Sequence, residues 1–342
     1  MVKTVDMVVA AGWRAQTGRS TGDRAFGLGP ADHCASIGPG PGRIYRTAVV
    51  PLRGRMETVA ALIGAFIAFA AFGILLKLAG ALGYPPTPIA FINYLFAALI
   101  SLFLLAQAPE EAGRPLLWVV GQAAGLFYVV GFFVNFRAIE RAGLSVAQPV
   151  SSVAVAIPIL ASIVFWGERP TLLQTAALLA ALVALVLLSS GHGEAGAAEA
   201  TAAPRSSIAL ILAALFVVQG MVMVAPKLVE ELGLGTYRYG YLFSLFGWAS
   251  IASGAHWAQN REPVSTGGLG LGLILGAANV AATFLLLAAL KALPGILVYP
   301  VTSVGTMLAG AVAGMVVWSE RPGRRALAGM ALAVPAVLLL NL

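Results

Sequence analysis

Aspartate disappears from this chain after its amino-terminal tail: Asp6, Asp23 and Asp32 are the three it has. Charge of either sign is scarce, at 10% of residues against 59% hydrophobic, and that balance excludes a soluble globular domain. One cysteine, Cys34, means that no disulfide can form within the chain. Three histidines and few acids leave acid–base catalysis little to work with. There is no His-Glu-x-x-His, no Gly-x-Ser-x-Gly, and no glycine-rich phosphate loop followed by lysine. No catalytic residue, metal ligand set or cofactor is therefore expected, and the chain does not read as an enzyme.

The net charge of +7 is unevenly spread. Residues 1–55 hold eight Lys and Arg against three acids, whereas the remainder holds thirteen against eleven. With no basic face on the part that folds, a nucleic-acid partner is not expected. The tail is rich in Gly, Arg and Pro, lacks a sustained apolar period, and is expected to be disordered. It stops at Met56-Glu57, directly before the first apolar run, so Met56 is expected to be the natural start and the tail an upstream mistranslation.

What the chain has in abundance is apolar runs of membrane-crossing length. Ten are expected, roughly over 58–79, 88–107, 116–137, 144–166 and 171–190, then 207–228, 237–257, 269–290, 295–318 and 324–341. The Gly, Ala and Glu rich stretch 191–205 separates two sets of five, giving halves 56–190 and 206–342.

The halves echo each other. Trp166-Gly167-Glu168-Arg169-Pro170 recurs 152 positions later as Trp318-Ser319-Glu320-Arg321-Pro322, and Pro149-Val150-Ser151-Ser152-Val153 recurs 151 positions later as Pro300-Val301-Thr302-Ser303-Val304. Gly121 and Gly125 match Gly272 and Gly276, Lys77 matches Lys227, and Tyr94-Leu95-Phe96 echoes Tyr241-Leu242-Phe243. An odd number of spans per half puts the second copy into the membrane in the opposite sense. The expected fold is an all-α polytopic membrane protein whose ten transmembrane helices form two inverted five-helix repeats.

On these residues, the duplicated Trp-x-Glu-Arg-Pro above all, residues 57–342 resemble the EamA-type branch of the drug/metabolite transporter superfamily. The resemblance implies a carrier for small metabolites or drugs in a cell (inner) membrane, with both termini cytoplasmic. Counted from Met56, the positively charged loops lean weakly the other way. The small multidrug branch of that superfamily relies on an acid within its first helix. This chain has none there beyond Glu57 at the edge, which leaves proton-coupled drug exchange through such a residue unsupported.

Uncharged polar residues inside the spans are the candidate solute-binding set, because polar groups in lipid are costly unless they pair or face water. They are Asn93 and Tyr94, Tyr128 and Asn135, Gln148 and Ser152 in the first half, and Gln219, Tyr241, Asn279 and Thr283, Tyr299 and Thr302 in the second. The fifth and tenth spans are nearly pure Ala, Leu and Val, so a cavity lined by the other eight is expected. Pro149, Pro158 and Pro300 are candidate hinges, since proline removes a backbone donor. Structural roles are expected elsewhere. Gly121, Gly125, Gly272 and Gly276, with Gly310 and Gly314, read as helix-packing seams. Trp166 and Trp318 read as interfacial anchors, and Glu168 and Glu320 as helix-end caps preceding the next span, with gating as the alternative. Lys77 and Lys227 read as snorkelling cations, with attraction of an anionic substrate at each mouth as the alternative.

The function this supports is transport of a small metabolite or amino-acid-like solute, in the direction of efflux, by alternating access between inverted repeats. The partners are a small-molecule solute and the lipid bilayer, with a homodimer compatible with the reading. Multidrug efflux is the alternative within transport, and a non-transporting membrane scaffold or sensor the alternative of another class.

Overall fold

The computed structural model describes residues 52–142, 144–190, 205–317, 319 and 323–340. The expectations placed on residues 1–51, on the linker 191–204, and on Trp318 and Glu320 lie outside the described residues, as do the side chains of Gln148 and Pro149. Among the described residues there are helices and no strands. They are α1 (Leu52–Ala81), α2 (Pro86–Ala106), a 3₁₀ turn (Pro109–Ala112), α3 (Pro115–Ala142), α4 (Leu144–Val153), α5 (Ala156–Val164), α6 (Leu172–Ser190), α7 (Arg205–Glu231), α8 (Arg238–Asn260), α9 (Thr266–Ala292), α10 (Gly295–Val317) and α11 (Arg324–Leu340). Helix α1 begins at Leu52, so the expected tail loses its last four residues to the first span.

Six helices, α1, α2, α3, α7, α9 and α10, are long and apolar enough to cross a membrane by length and composition alone. The other four expected spans are shorter or more polar. The fourth is broken into α4 and α5, the fifth and tenth are short, and α8 ends in the polar run His256-Trp257-Ala258-Gln259-Asn260. Large apolar side chains such as Phe103, Val119, Leu160 and Leu210 stand exposed around the outside. In water that would be an aggregation hazard, and in lipid it matches the solvent.

The break in the fourth span has a covalent cause. Pro158 has no N–H with which to reach the Ala154 carbonyl, and the Ile157 N–H takes that carbonyl instead at 3.0 Å, tightening the turn. Pro300, by contrast, lies inside an unbroken α10, so a proline at that register bends nothing apart. Helix α6 opens with a capping box: the Gln174 N–H donates to Thr171 Oγ1 (3.2 Å) and the Thr171 N–H to Gln174 Oε1 (3.0 Å). Glu168 is therefore not the cap of the span that follows it.

The duplication extends to the backbone. Helices α1 and α7 end in the same left-handed glycine cap. At Gly83 (φ 70°) the Tyr84 N–H donates to the Ala79 carbonyl, and at Gly233 (φ 71°) the Leu234 N–H donates to the Val229 carbonyl. The turn after the fourth and ninth spans is left-handed in both copies, at Gly167 (φ 67°) and Ser319 (φ 54°).

Helix contacts survive exchange of the halves. Helix α1 packs on α9 and α10, while α7 packs on α3 and on α4 with α5; α3 meets α8 as α9 meets α2; α2 pairs with α8, and α6 with α11. The halves are interleaved, each sending its first helix against the third and fourth spans of the other. The paired glycines mark close crossings. A Cβ at Gly276 would stand 2.6 Å from the Asn93 carbonyl oxygen and 3.2 Å from the Ala97 nitrogen; one at Gly125 would meet the Leu245 oxygen and the Ala249 nitrogen. Gly310 differs, with open space where its Cβ would be.

Candidate functional site

Between the halves lies a cavity of about 360 Å³. Its lining runs from Tyr299, one turn inside the start of α10, to Leu76, near the end of α1. Helices α1, α2, α3, α4, α6, α7, α9 and α10 contribute to it.

The lining obeys the repeat. Phe69 matches Gln219, Phe72 matches Val222 and Leu76 matches Pro226, each at an offset of 150 residues. Tyr128 matches Asn279, Asn135 matches Leu286, Ser151 matches Thr302 and Ser152 matches Ser303, each at 151. Equivalent positions thus face one another across the cavity, yet their chemistry differs: an amide opposes a leucine, and another amide opposes a phenylalanine. Among the described residues no lining side chain carries a charge. The wall offers hydroxyls and carboxamides set among aromatic and aliphatic surface, the composition of a site for an amphipathic solute.

Eight of the twelve sequence candidates come together here: Tyr94, Tyr128, Asn135, Ser152, Gln219, Asn279, Tyr299 and Thr302. Some are held by neighbours. The Tyr94 hydroxyl points to the Tyr128 carbonyl (3.5 Å), and Ser151 Oγ donates to Asn135 Oδ1 (3.4 Å). Thr302 Oγ1 is buried without a hydrogen-bond partner. Asn93 and Thr283 stand one layer behind. Asn279 Nδ2 donates to Asn93 Oδ1 (3.4 Å), and Thr283 Oγ1 donates to the Asn279 carbonyl (2.9 Å), so both steady Asn279 rather than face the cavity.

Tyr241 is a correction. It is fully buried in α8, outside the cavity lining. The Tyr-Leu-Phe echo that suggested it is out of register. The glycine crossings align Ala97 with Ala249, an offset of 152, which pairs Tyr94 with Phe246 and Tyr241 with Ile89. Consistently, Phe246 lies edge-on against the Tyr128 ring at 6.2 Å. Helix α8 sits behind α2 and α3 and reaches the cavity nowhere, whereas α6 reaches it through Leu185. The expected set of eight lining spans, without the fifth and tenth, becomes seven of those plus the fifth. Phe69, Phe72, Phe132 and Thr306 were missed as singly unremarkable apolar or polar positions. Carrying Gln219 across the repeat would have found Phe69.

The largest difference concerns Glu168. Its carboxylate accepts the N–H groups of Gly295 (to Oε1, 2.9 Å) and Ile296 (to Oε2, 2.9 Å), the first residues of α10. Lys227 Nζ lies 2.8 Å from Oε1 of Glu168 and 2.7 Å from Oε1 of Glu231. Lys227 is only 1% exposed, so it does not snorkel. Trp166 stands over the ammonium at 5.9 Å rather than acting solely as an anchor. Glu168 caps a helix, as expected, but a helix of the other half. Gly295 permits it, because a Cβ there would strike Ser162 Oγ. Glu111, in the 3₁₀ turn, accepts the Tyr239 N–H at 2.6 Å at the start of α8. Burial pushes its carboxyl up, against the lowering by that bond.

Among the described residues no group of three or more His, Cys, Asp or Glu is placed to hold a metal. Residues 56–190 match the model of the EamA-like transporter family. A solved structure described only as "Crystal structure of protein" shares the fold at a TM-score of 0.68 and 16% identity, over 83% of this chain and 96% of that one. No curated protein matches the chain.

Proposed function

We propose that this multi-pass membrane protein is an EamA-like transporter, a reading that the match of residues 56–190 supports, and that it carries a small uncharged or zwitterionic metabolite through the cavity between its halves. Residues 206–342 are read as a second EamA-like repeat, inverted relative to the first. One observation carries the reading: seven pairs of repeat-matched residues line a single cavity between the halves. A site at the junction of inverted repeats is equivalent from both sides of the membrane, which alternating access requires. A scaffold has no need of a cavity walled by both halves at equivalent positions.

The wall also bears on the solute. A charged group moved from water into a cavity whose described lining holds no opposite charge would lose its hydration uncompensated, so a strongly ionic substrate is disfavoured. Amino-acid-like solutes fit if their paired charges offset one another. Efflux is the proposed direction, from the resemblance and not from geometry.

Counterflow in proteoliposomes tests the reading. Vesicles preloaded with each of a panel of amino acids and neutral metabolites are diluted into trace label, and a carrier accumulates label transiently for at least one solute. Protein that is folded and monodisperse yet gives no counterflow across the whole panel contradicts transport of this solute class.

A further inference from the structure

An ion pair buried among membrane-spanning helices carries a desolvation cost, and charged residues at such places mark function more often than stability. The Glu168 backbone N–H closes the turn on the Ser162 carbonyl at 3.0 Å, but its side chain caps nothing in its own loop. Gly167 supplies the left-handed turn, and Thr171 with Gln174 caps the helix that follows. Instead its carboxylate, buried to 5% exposure, reaches from the first half to Lys227 on α7 and the first two amides of α10. Those partners adjoin the cavity wall: Pro226 precedes Lys227, and Tyr299 lies one turn along α10.

We propose that Glu168 is the positioning residue of a gate. Its carboxylate holds the start of α10 and the end of α7 against α5, which closes the cavity at this end, and it releases them when the cavity opens there. The inference rests on the transport reading above. Release does not strand a bare cation, because Glu231, partly exposed one turn beyond Lys227, keeps its own 2.7 Å contact. The ammonium passes from two carboxylates to one, and the α10 amides, freed at the helix N-terminus, meet incoming water. A contact between halves that is strong when closed and cheap to leave is what a two-state element needs.

The test places a reporter behind the gate. In a Cys34→Ser background, which removes the single cysteine of the chain, Thr302→Cys is labelled with a membrane-impermeant maleimide from each side of oriented vesicles. Losing one member of a buried pair shifts the open population strongly, so Glu168→Gln is expected to raise labelling at least about tenfold from one side and leave the other unchanged. Exchanging the charges, Glu168→Lys with Lys227→Glu, restores an ion pair but presents a cation to the α10 amides, so it is expected to behave like Glu168→Gln. Glu111→Gln, in the 3₁₀ turn that caps α8 and off the cavity, leaves labelling at the wild-type rate. If Glu168→Gln does not fold, Glu168→Asp replaces it, with a smaller one-sided rise expected. An equal rise from both sides, or wild-type labelling in the folded variant, overturns the gate. Labelling needs no solute, so a silent counterflow panel bears on the transport reading alone.

Discussion

Replacing Gly276 with alanine adds one methyl group where two helices touch. The new Cβ would stand 2.6 Å from the Asn93 carbonyl oxygen, 3.1 Å from Phe96 Cβ and 3.2 Å from the Ala97 nitrogen. Two of the three obstacles are backbone, so no side-chain rotation relieves them, and α2 must move away from α9. Overpacking of this kind costs about 1–3 kcal/mol, and alanine returns up to about 1 kcal/mol through its better helix propensity. The net expectation is a loss of about 1–2 kcal/mol. Gly125→Ala should lose a similar amount, since its Cβ meets the equivalent atoms of α8. Gly310→Ala is the internal control: with open space at its Cβ it keeps the propensity gain and should melt at or above wild type. The assay is thermal unfolding in one detergent, followed by the monodisperse fraction on size exclusion. Gly276→Ala melting at or above wild type would refute the claim that these glycines mark crossings too close for a methyl group.

Three further substitutions probe the backbone and the buried polar groups. Ser319 holds φ 54°, where its repeat counterpart is Gly167, and a left-handed L-residue costs roughly 1–2 kcal/mol. Ser319→Gly should therefore raise the melting temperature and Gly167→Ala lower it; the opposite order would deny the shared turn. Tyr241→Phe removes a buried hydroxyl that has no hydrogen-bond partner, so stability should hold or rise, by up to about 1 kcal/mol. A comparable loss in the same assay would show that the hydroxyl is bonded.

Span existence and pairing of the halves were legible in the sequence because both rest on local signals: apolar length for the helices, and repeated Trp-x-Glu-Arg-Pro and Gly-x-x-x-Gly for the duplication. Side-chain direction was not, and the reasons are specific. Tyr241 failed because a three-residue echo fixes register only loosely, and a shift of five residues turns a helical side chain to another face. Glu168 failed because its partners lie far along the chain at Lys227 and Gly295. No local pattern announces a cap supplied to another half's helix. Lys227 failed for the same reason, since a lysine near a span end normally finds headgroups. Pro158 and Pro300 were both read as hinge candidates, but that Pro158 divides the fourth span while Pro300 leaves the ninth whole depends on which carbonyls the flanking amides can reach.

Asn135 offers the most direct test that the cavity is the transport site. It faces the cavity, takes the Ser151 hydroxyl at 3.4 Å, and is matched across the repeat by Leu286. Asn135→Leu makes the two equivalent positions alike, removes a polar contact from the wall, and leaves every ion pair described above in place. Initial counterflow rate, for whichever solute the wild-type protein exchanges, is the measurement. A fall of at least about tenfold, with wild-type melting behaviour, is predicted for loss of one polar contact made in a desolvated site. Full wild-type flux through Asn135→Leu would contradict the account and move the transport path out of this cavity.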